Sequence, residues 1–362
     1  MSGSIKYTLL ELVRVALGNQ QSLSSAPNIQ QWSDLLVAAE EQGITGVLMP
    51  ALEKLYSQGL QYPKEISLEW IFRAEQIRNR NILLNKRATQ LVNYFNYEGF
   101  RNCILKGQGN ARMYPDPYSR SSGDIDIWLE GDKEEIRSFV RNKYPDAEEC
   151  AWHIDFPIFS DVPVEVHYIP SYLRAPRFDK CLQQYYKDHS VEQFAHVVTL
   201  PGEESKVCIP MPEFNLIQQL SHVMRHFFVE GVGLRQILDI YYLLYTNKDE
   251  IDKQRIERNL KDFGMYDFAS AVMWILGDAL QLPEDFLIIK PNKQRGRLVL
   301  NEILQGGTWG RYDRRISKKV GGKMSLLPFI LRNMRFVVLF PNEAIAVPLQ
   351  RRINRITDKS TM

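Results

Sequence analysis

Three carboxylates set the chemistry this sequence can attempt. The run Ser121-Ser122-Gly123-Asp124-Ile125-Asp126-Ile127-Trp128 passes from a small polar turn into an alternating strand, so Asp124 and Asp126 point to one face. Like charges side by side repel, at a cost that rises as water is excluded, and such a pair implies either full solvation or a cation. Magnesium, a hard ion that takes oxygen ligands, suits the pair, with manganese as a substitute. Two acids at an exposed strand start also arise by chance, and the pair alone divides evenly between these readings. A third acid strengthens the case for a site. In Pro163-Val164-Glu165-Val166-His167-Tyr168 the valines and Tyr168 form an apolar face, and Glu165 and His167 share the opposite one. Metal-assisted phosphoryl or nucleotidyl transfer needs such oxygen ligands from more than one strand.

Other side chains could serve the same chemistry. Ile104-Leu105-Lys106-Gly107-Gln108-Gly109 joins a buried strand to a helix start, where backbone N–H groups and a lysine can meet phosphate oxygens; a plain strand-to-helix turn fits equally well. Arg120 precedes the acidic strand and can pair with its carboxylates or with a triphosphate. Before Glu165, the run Ile154, Phe156 and Ile158 alternates with His153, Asp155 and Pro157. A hairpin between the two runs aligns their apolar faces when its turn has an odd number of residues, and Asp155 is then expected beside His167. His222 and His226 stand four apart on a helix, a zinc-compatible spacing, but Val223 occupies the position of a metalloprotease's base and no third ligand is evident. A structural or cleft-lining role suits them better. Arg235 and Asp239 are spaced for an intrahelical ion pair, with a cleft-facing Arg235 as the alternative.

The elements that must position these residues follow from the hydrophobic period. Spacings of three and four run through Leu9, Leu10, Val13 and Leu17, then Trp32, Leu35, Leu36 and Ala39, then Ile66 to Tyr97, predicting a helical region over 1–99. Between about Arg101 and Val207 the period becomes two, predicting an α/β core over 100–208 with strand, helix, strand, strand after Gly123. Leu216, Ile217, Leu220, Val223, Met224, Phe227 and Phe228 restore the helical period, and a helical region is expected over 209–310. The remainder, 311–362, reads as a basic loop from Arg311 to Lys323, an amphipathic segment from Leu326 to Phe340, and Arg351, Arg352 and Arg355. This tail is expected to pack on the helical region.

Composition removes several classes of function. At 362 residues, 44% hydrophobic and 24% charged, the chain can build two or three cores. A formal net charge of +2 supplies no general field for nucleic acid or an anionic membrane, so nucleic acid is not indicated as a partner. Cys103, Cys150, Cys181 and Cys208 lie far apart without a Cys-x-x-Cys pair, which speaks against a zinc ribbon or a disulfide scaffold and for reduced thiols in the cytoplasm. Glu11 and Arg14 interrupt the first apolar stretch, and Arg332, Asn333 and Arg335 break the most apolar later one. Neither a signal peptide nor a run of roughly 20 apolar residues for a membrane span is expected.

Taken together, these residues resemble the uncharacterised nucleotidyltransferases of the DNA polymerase β superfamily. The resemblance covers most of the chain. It rests on Leu105-Lys106-Gly107, on Arg120 with Gly123-Asp124-Ile125-Asp126, on Val164-Glu165-Val166-His167, and on Gly231-Val232-Gly233-Leu234-Arg235 with Asp239. Trp32 to Pro50 and Leu339-Phe340-Pro341 are similar to the family's flanks. The resemblance implies an α+β fold: a small mixed nucleotidyltransferase-type sheet with helices, flanked by mainly helical N-terminal and C-terminal regions. It further implies Asp124, Asp126 and Glu165 as metal-binding catalytic carboxylates and a nucleoside triphosphate as donor. Lys106, Gly107, Arg120, Ser122 and Gly123 would face the nucleotide, and His167, Asp155, His222, His226 and Arg235 would line the cleft. The chain departs from the pattern at Gly107-Gln108, where a glycine-serine pair is usual, at the inserted Tyr114-Pro115-Asp116-Pro117, and at Glu165, where aspartate is commoner. The expected activity is metal-dependent nucleotidyl transfer to an acceptor hydroxyl or phosphate. The altered loop motivates an alternative, a catalytically lapsed nucleotide or sugar-phosphate binding module with a regulatory or scaffold role.

Overall fold

The computed structural model describes residues 2–313, 315 and 326–349. Four helices come first: α1 (Gly3–Ala16), α2 (Ile29–Gln42), α3 (Met49–Ser57) and the long α4 (Lys64–Tyr97). Local chemistry sets their ends. Asn28 accepts a hydrogen bond from the Gln31 amide (2.9 Å) while Gln31 accepts one from the Asn28 amide (2.8 Å), a reciprocal cap that starts α2.

The chain then alternates between strand and helix through β1 (Asn102–Leu105), α5 (Gly107–Ala111), β2 (Ile125–Leu129), α6 (Lys133–Lys143), β3 (His153–Asp155) and β4 (Val164–His167). These strands form one mixed sheet in the order β1-β2-β4-β3, with β2 and β4 parallel and the outer pairs antiparallel. After α7 (Pro176–Asp188) and α8 (Ser190–Gln193), a short hairpin of β5 (Val197–Thr199) and β6 (Lys206–Cys208) leads into the later helices. These are α9 (Pro212–Val229), α10 (Leu234–Thr246), α11 (Lys253–Asp262), α12 (Tyr266–Trp274), α13 (Lys293–Gly306) and α14 (Leu326–Met334), followed by helical residues 341–349. The fold is α+β, with a small mixed sheet among helices.

Period-two alternation divides the sheet into two faces. Ile104, Ile127, Val166 and Ile154 stand side by side across all four strands and are fully buried. With Ile125, Leu129 and Val164 they pack under α4 residues Leu84, Ala88, Leu91, Val92 and Phe95 and α6 residues Ile136 and Val140. The opposite face carries two rows: Cys103, Trp128, His167 and His153, and beside it Leu105, Asp126, Glu165 and Asp155. Helices cover part of it, where Trp128 stacks on Phe214 at 5.8 Å and 14°. Beside Lys106 and Asp126 it borders a cleft.

A second, larger core joins α1–α3 to α9–α13 and takes in Phe329, Phe336 and Phe340, with Phe336 against Phe227 (5.2 Å between ring centroids). The basic Arg311 to Lys323 loop falls largely outside the described residues, and Arg351, Arg352 and Arg355 fall wholly outside them. All four cysteines are free, Cys103 fully buried within β1. Among the described residues, no helix is long and apolar enough to cross a membrane.

Candidate active site

The hairpin turn sets which residues meet on the open face. Phe156 N donates to the Val164 oxygen, and the registers His153↔His167, Ile154↔Val166 and Asp155↔Glu165 continue that ladder. The odd turn expected for aligned apolar faces is present, but the pairing is displaced from the expectation. Asp155 lies opposite Glu165, and His153, not Asp155, stands beside His167. On the other side β4 pairs in parallel with β2, so Glu165 is level with Asp126 and His167 with Trp128.

A chain of polar contacts results. His167 Nε2 lies 2.8 Å from Asp126 Oδ1 and 3.3 Å from Glu165 Oε2, and His153 Nδ1 lies 3.0 Å from the same Glu165 oxygen. From the β1 side, Lys106 Nζ reaches Asp126 Oδ1 at 3.0 Å. Lys106 gets there through a sharp strand-to-helix turn at φ 52°, a backbone region non-glycine residues rarely adopt and one that costs about 1–3 kcal/mol. Asp124 sits just before β2 at the mouth of the cleft, open to solvent although protein atoms crowd its carboxyl.

These contacts drive the carboxyl groups apart in acidity. Desolvation, then repulsion from Asp126, pushes Asp124 up. Burial works against the charge on Asp126 as well, but Lys106 and the His167 hydrogen bond outweigh it and hold that carboxyl down. Glu165 is desolvated too, and its hydrogen bonds from His153 and His167 take it well below the usual carboxylate range. Burial opposes charge on His153, yet contacts with Cys150 and Glu165 hold its imidazole up to about 10.

Helices α9 and α10 form the opposite wall. Arg120, 4% exposed, makes a bidentate pair with Asp239, Nε to Oδ1 and Nη2 to Oδ2, both 2.7 Å; Tyr114 Oη donates to Asp239 Oδ1 at 2.7 Å. The expected Arg235–Asp239 intrahelical pair is therefore replaced: tertiary contact gives Asp239 to Arg120, and Arg235 donates to the Ser121 carbonyl at 2.6 Å instead. Arg120 also donates to Ser122 Oγ at 2.7 Å, so in this structure its partners are Asp239 and Ser122 and neither strand carboxylate. His222 lines the cleft, and burial, followed by the nearby Lys106 charge, holds its imidazole well below the ordinary range. His226 is also buried, in contact with Glu230 and Arg225; burial and Arg225 bring it down to about 4. Neither belongs to a cluster able to hold a metal among the described residues. The one such group is His153, Glu165 and His167.

Trp309 completes the cleft and was not legible from motif spacing. It lies at φ 59° between Thr308 and Gly310, with its ring edge-on to His226 at 4.6 Å. That turn fits because Gly310, itself at φ 60°, lies so near the Glu230 carbonyl that a Cβ would overlap the oxygen. The cleft, which includes Lys106, Gly107, Ser122, Gly123, Asp124 and Asp126, encloses only about 50 Å³ of free space. Ser122, Arg235 and Trp309 also border an adjoining cavity of about 410 Å³, whose walls add Arg73, Arg80, Arg311 and Tyr312. Small-molecule sites are typically about 300–1,000 Å³, so a nucleotide needs this second chamber or an opening of the first. A depression of about 620 Å³ beside α6 is open surface and shares none of these residues.

Comparison with known proteins identifies the chain. A family model described as an uncharacterised nucleotidyltransferase matches residues 28–281, and the chain belongs to that family. Among solved structures, it is similar to an antigenic nucleotidyltransferase-like protein from Paracoccidioides brasiliensis, with 15% identity, 52% of this chain and 91% of that one covered, and a TM-score of 0.30. No curated protein matches.

Proposed function

We propose, on the premise that the chain belongs to this nucleotidyltransferase family, that it transfers a nucleotidyl group from a nucleoside triphosphate to an acceptor hydroxyl or phosphate. The observation that carries the reading is the placement of Asp126 and Glu165 level with one another on adjacent strands, with Asp124 two residues along, and of Asp124 and Asp126 in the wall of a cleft. Asp124, Asp126 and Glu165 offer the hard oxygen ligands a divalent cation takes, but among the described residues only His153, Glu165 and His167 have ligand atoms all within 4.8 Å of one another, so a shared ion requires the three carboxylates to draw closer. When bound, magnesium or manganese would neutralise triphosphate charge and acidify the attacking hydroxyl.

The chain's own residues supply alignment. Lys106, held over Asp126 by its strained turn, is placed to meet a phosphate oxygen, with the Gly107 backbone at the start of α5 beside it. Ser122 and Gly123 line the same wall, and Arg235 stands where the two chambers join. Arg120 acts at one remove: its pair with Asp239 fixes the 120–124 segment that carries Asp124. Glu165, held ionised by His153 and His167, is suited to act as an oxygen ligand rather than as a proton acceptor. Catalysis of this kind is mainly positioning and charge neutralisation.

Calorimetric titration of each nucleoside triphosphate with magnesium tests the reading, comparing the wild type with Asp124→Asn/Asp126→Asn. Magnesium-dependent binding lost in the variant is expected; equal binding by folded variant and wild type refutes it. The lapsed-module alternative is favoured by one observation, the engagement of Arg120 with Asp239, which removes a cation expected at the triphosphate. Release of pyrophosphate in an acceptor screen excludes that alternative.

A further inference from the structure

The two imidazoles on the open face have a geometry that a purely carboxylate site does not require. His153 Nδ1 and His167 Nε2 both turn toward Glu165 Oε2, at 3.0 and 3.3 Å, and His167 Nε2 is 2.8 Å from Asp126 Oδ1. Ligands bonded at about 2.1 Å to a first-row divalent ion sit about 3.0–3.4 Å apart, as edges of an octahedron or tetrahedron. Each imidazole nitrogen thus already stands from the Glu165 oxygen at nearly the spacing a shared ion imposes, and all three donors lie within 4.8 Å of one another. The far side of His167 is also provided for: its Nδ1 faces the Ile169 carbonyl at 3.4 Å, which can hold the proton there and leave the near lone pair for a metal, the arrangement typical of metal-binding histidines. On the far side of His153, Asp155 Oδ1 stands 3.8 Å from Nε2, outside hydrogen-bond reach.

The local charge agrees. Asp126, Glu165 and Asp155 bring three carboxyl groups to the row, opposed by Lys106 at Asp126 and by the proton on His153 beside Glu165, which a bound ion would displace. Imidazole nitrogen is a poor ligand for magnesium and a good one for zinc, copper, iron and nickel; manganese prefers oxygen but accepts imidazole in a mixed site. We infer that His153, Glu165 and His167 form a mixed nitrogen–oxygen seat for a first-row transition-metal ion in preference to magnesium, with Asp126 beside it against His167. This rests on the proposed transfer site only in sharing Glu165 with it, and it requires neither nucleotide nor turnover.

The full-length chain, free of nucleotide, is titrated with Mn2+ and followed by electron paramagnetic resonance, with electron spin echo modulation to detect directly bonded nitrogen. The expected result is a bound ion with imidazole ¹⁴N modulation, displaced by Zn2+ at a concentration about 100-fold or more below that of Mg2+. His153→Gln, at a half-buried position on the edge strand, should reduce the modulation and weaken Zn2+ binding about tenfold or more; His153→Gln/His167→Gln should abolish the modulation. Circular dichroism of both variants establishes that they are folded. Absence of Mn2+ binding, binding without ¹⁴N modulation, equal displacement by Zn2+ and Mg2+, or modulation that persists in the folded double variant each overturns the inference. Nitrogen ligation intact in a protein that binds no nucleotide would refute the transfer reading alone.

Discussion

Replacing Asp239 by asparagine should destabilise the protein by about 3–5 kcal/mol, the cost of leaving a buried charge without its partner. The figure follows from the geometry. Both side chains are 5% exposed, the pair is bidentate at 2.7 Å, and among the described residues the one other side-chain acceptor of an Arg120 hydrogen bond is Ser122 Oγ. An asparagine keeps the shape and one acceptor oxygen but removes the charge that holds Arg120 ionised against its burial. Arg120→Met/Asp239→Leu removes both charges together and should recover most of the loss, because the desolvation cost disappears with the attraction. Guanidinium denaturation of the wild type, both single variants and the double variant gives the coupling energy directly. Urea curves at low and high salt add a control: a pair this buried is screened little, so the loss should persist in salt. A loss below about 1 kcal/mol in Asp239→Asn, or a double variant no more stable than the single, would refute the assignment of this pair as the anchor of the 120–124 segment.

Other perturbations separate the roles of neighbouring groups. Lys106→Met should weaken nucleoside triphosphate binding about 10–100-fold by calorimetry without weakening metal binding in the absence of nucleotide, since Lys106 competes with a cation for Asp126. Gly310→Ala should cost about 2 kcal/mol or more in denaturant unfolding, because the methyl group meets the Glu230 carbonyl at a left-handed backbone position. Buried Glu343 has its carboxyl pushed up by desolvation to about 7 from an ordinary 4.5. Its contribution to stability is therefore fully present below about pH 4.5 and lost as pH rises through about 7, for a fall on the order of 3 kcal/mol. Glu343→Gln should accordingly stabilise the protein at pH 8 and change little at pH 4.5; equal effects at both values in thermal melts would contradict this.

Elements governed by local pattern were legible in the sequence. The run from Ile66 to Tyr97 became α4, and the alternation around Asp126 and Glu165 became β2 and β4, because period and burial are local properties of a segment. Pairing was harder to read. The parallel contact of β2 with β4 joins residues 39 apart in sequence, as in Asp126↔Glu165, and no spacing rule specifies it. A hairpin register displaced by two residues keeps every side chain on its face, so parity identified the open face correctly yet put Asp155 in the place His153 occupies. Arg235 and Asp239 show the limit of helix spacing rules: an i,i+4 pair offers a few tenths of a kcal/mol at a surface, and a buried bidentate partner from a distant loop displaces it. The hairpin of β5 and β6 escaped notice because its three-residue strands are too short to display a period. Trp309 had no motif at all; its place follows from close backbone approach around Gly231 and Gly310, which becomes visible only when the two loops meet.

The division of the sheet into two faces gives the strongest physical reason to place function at Asp126 and Glu165. On the α4 side, one row across four strands is Ile104, Ile127, Val166 and Ile154, an apolar solution that stabilises the fold at no electrostatic cost. Two rows on the other side hold Asp126, Glu165, Asp155, His167 and His153 within contact of one another, although Leu105, Cys103 and Trp128 in the same rows show that this face also accepts apolar packing. Stability alone would favour continuing those apolar rows, since exchanging buried charged groups for well-packed apolar ones is commonly neutral or stabilising. Of these polar residues Asp126 borders the cleft, and Glu165 lies level with it on the next strand. Lys106 reaches the same spot through a backbone conformation that is itself unfavourable, so strain and like-charge repulsion are spent at one place. A cation bound there relieves the repulsion, which is why metal affinity measured in the absence of any nucleotide is the property from which the rest of the functional reading follows.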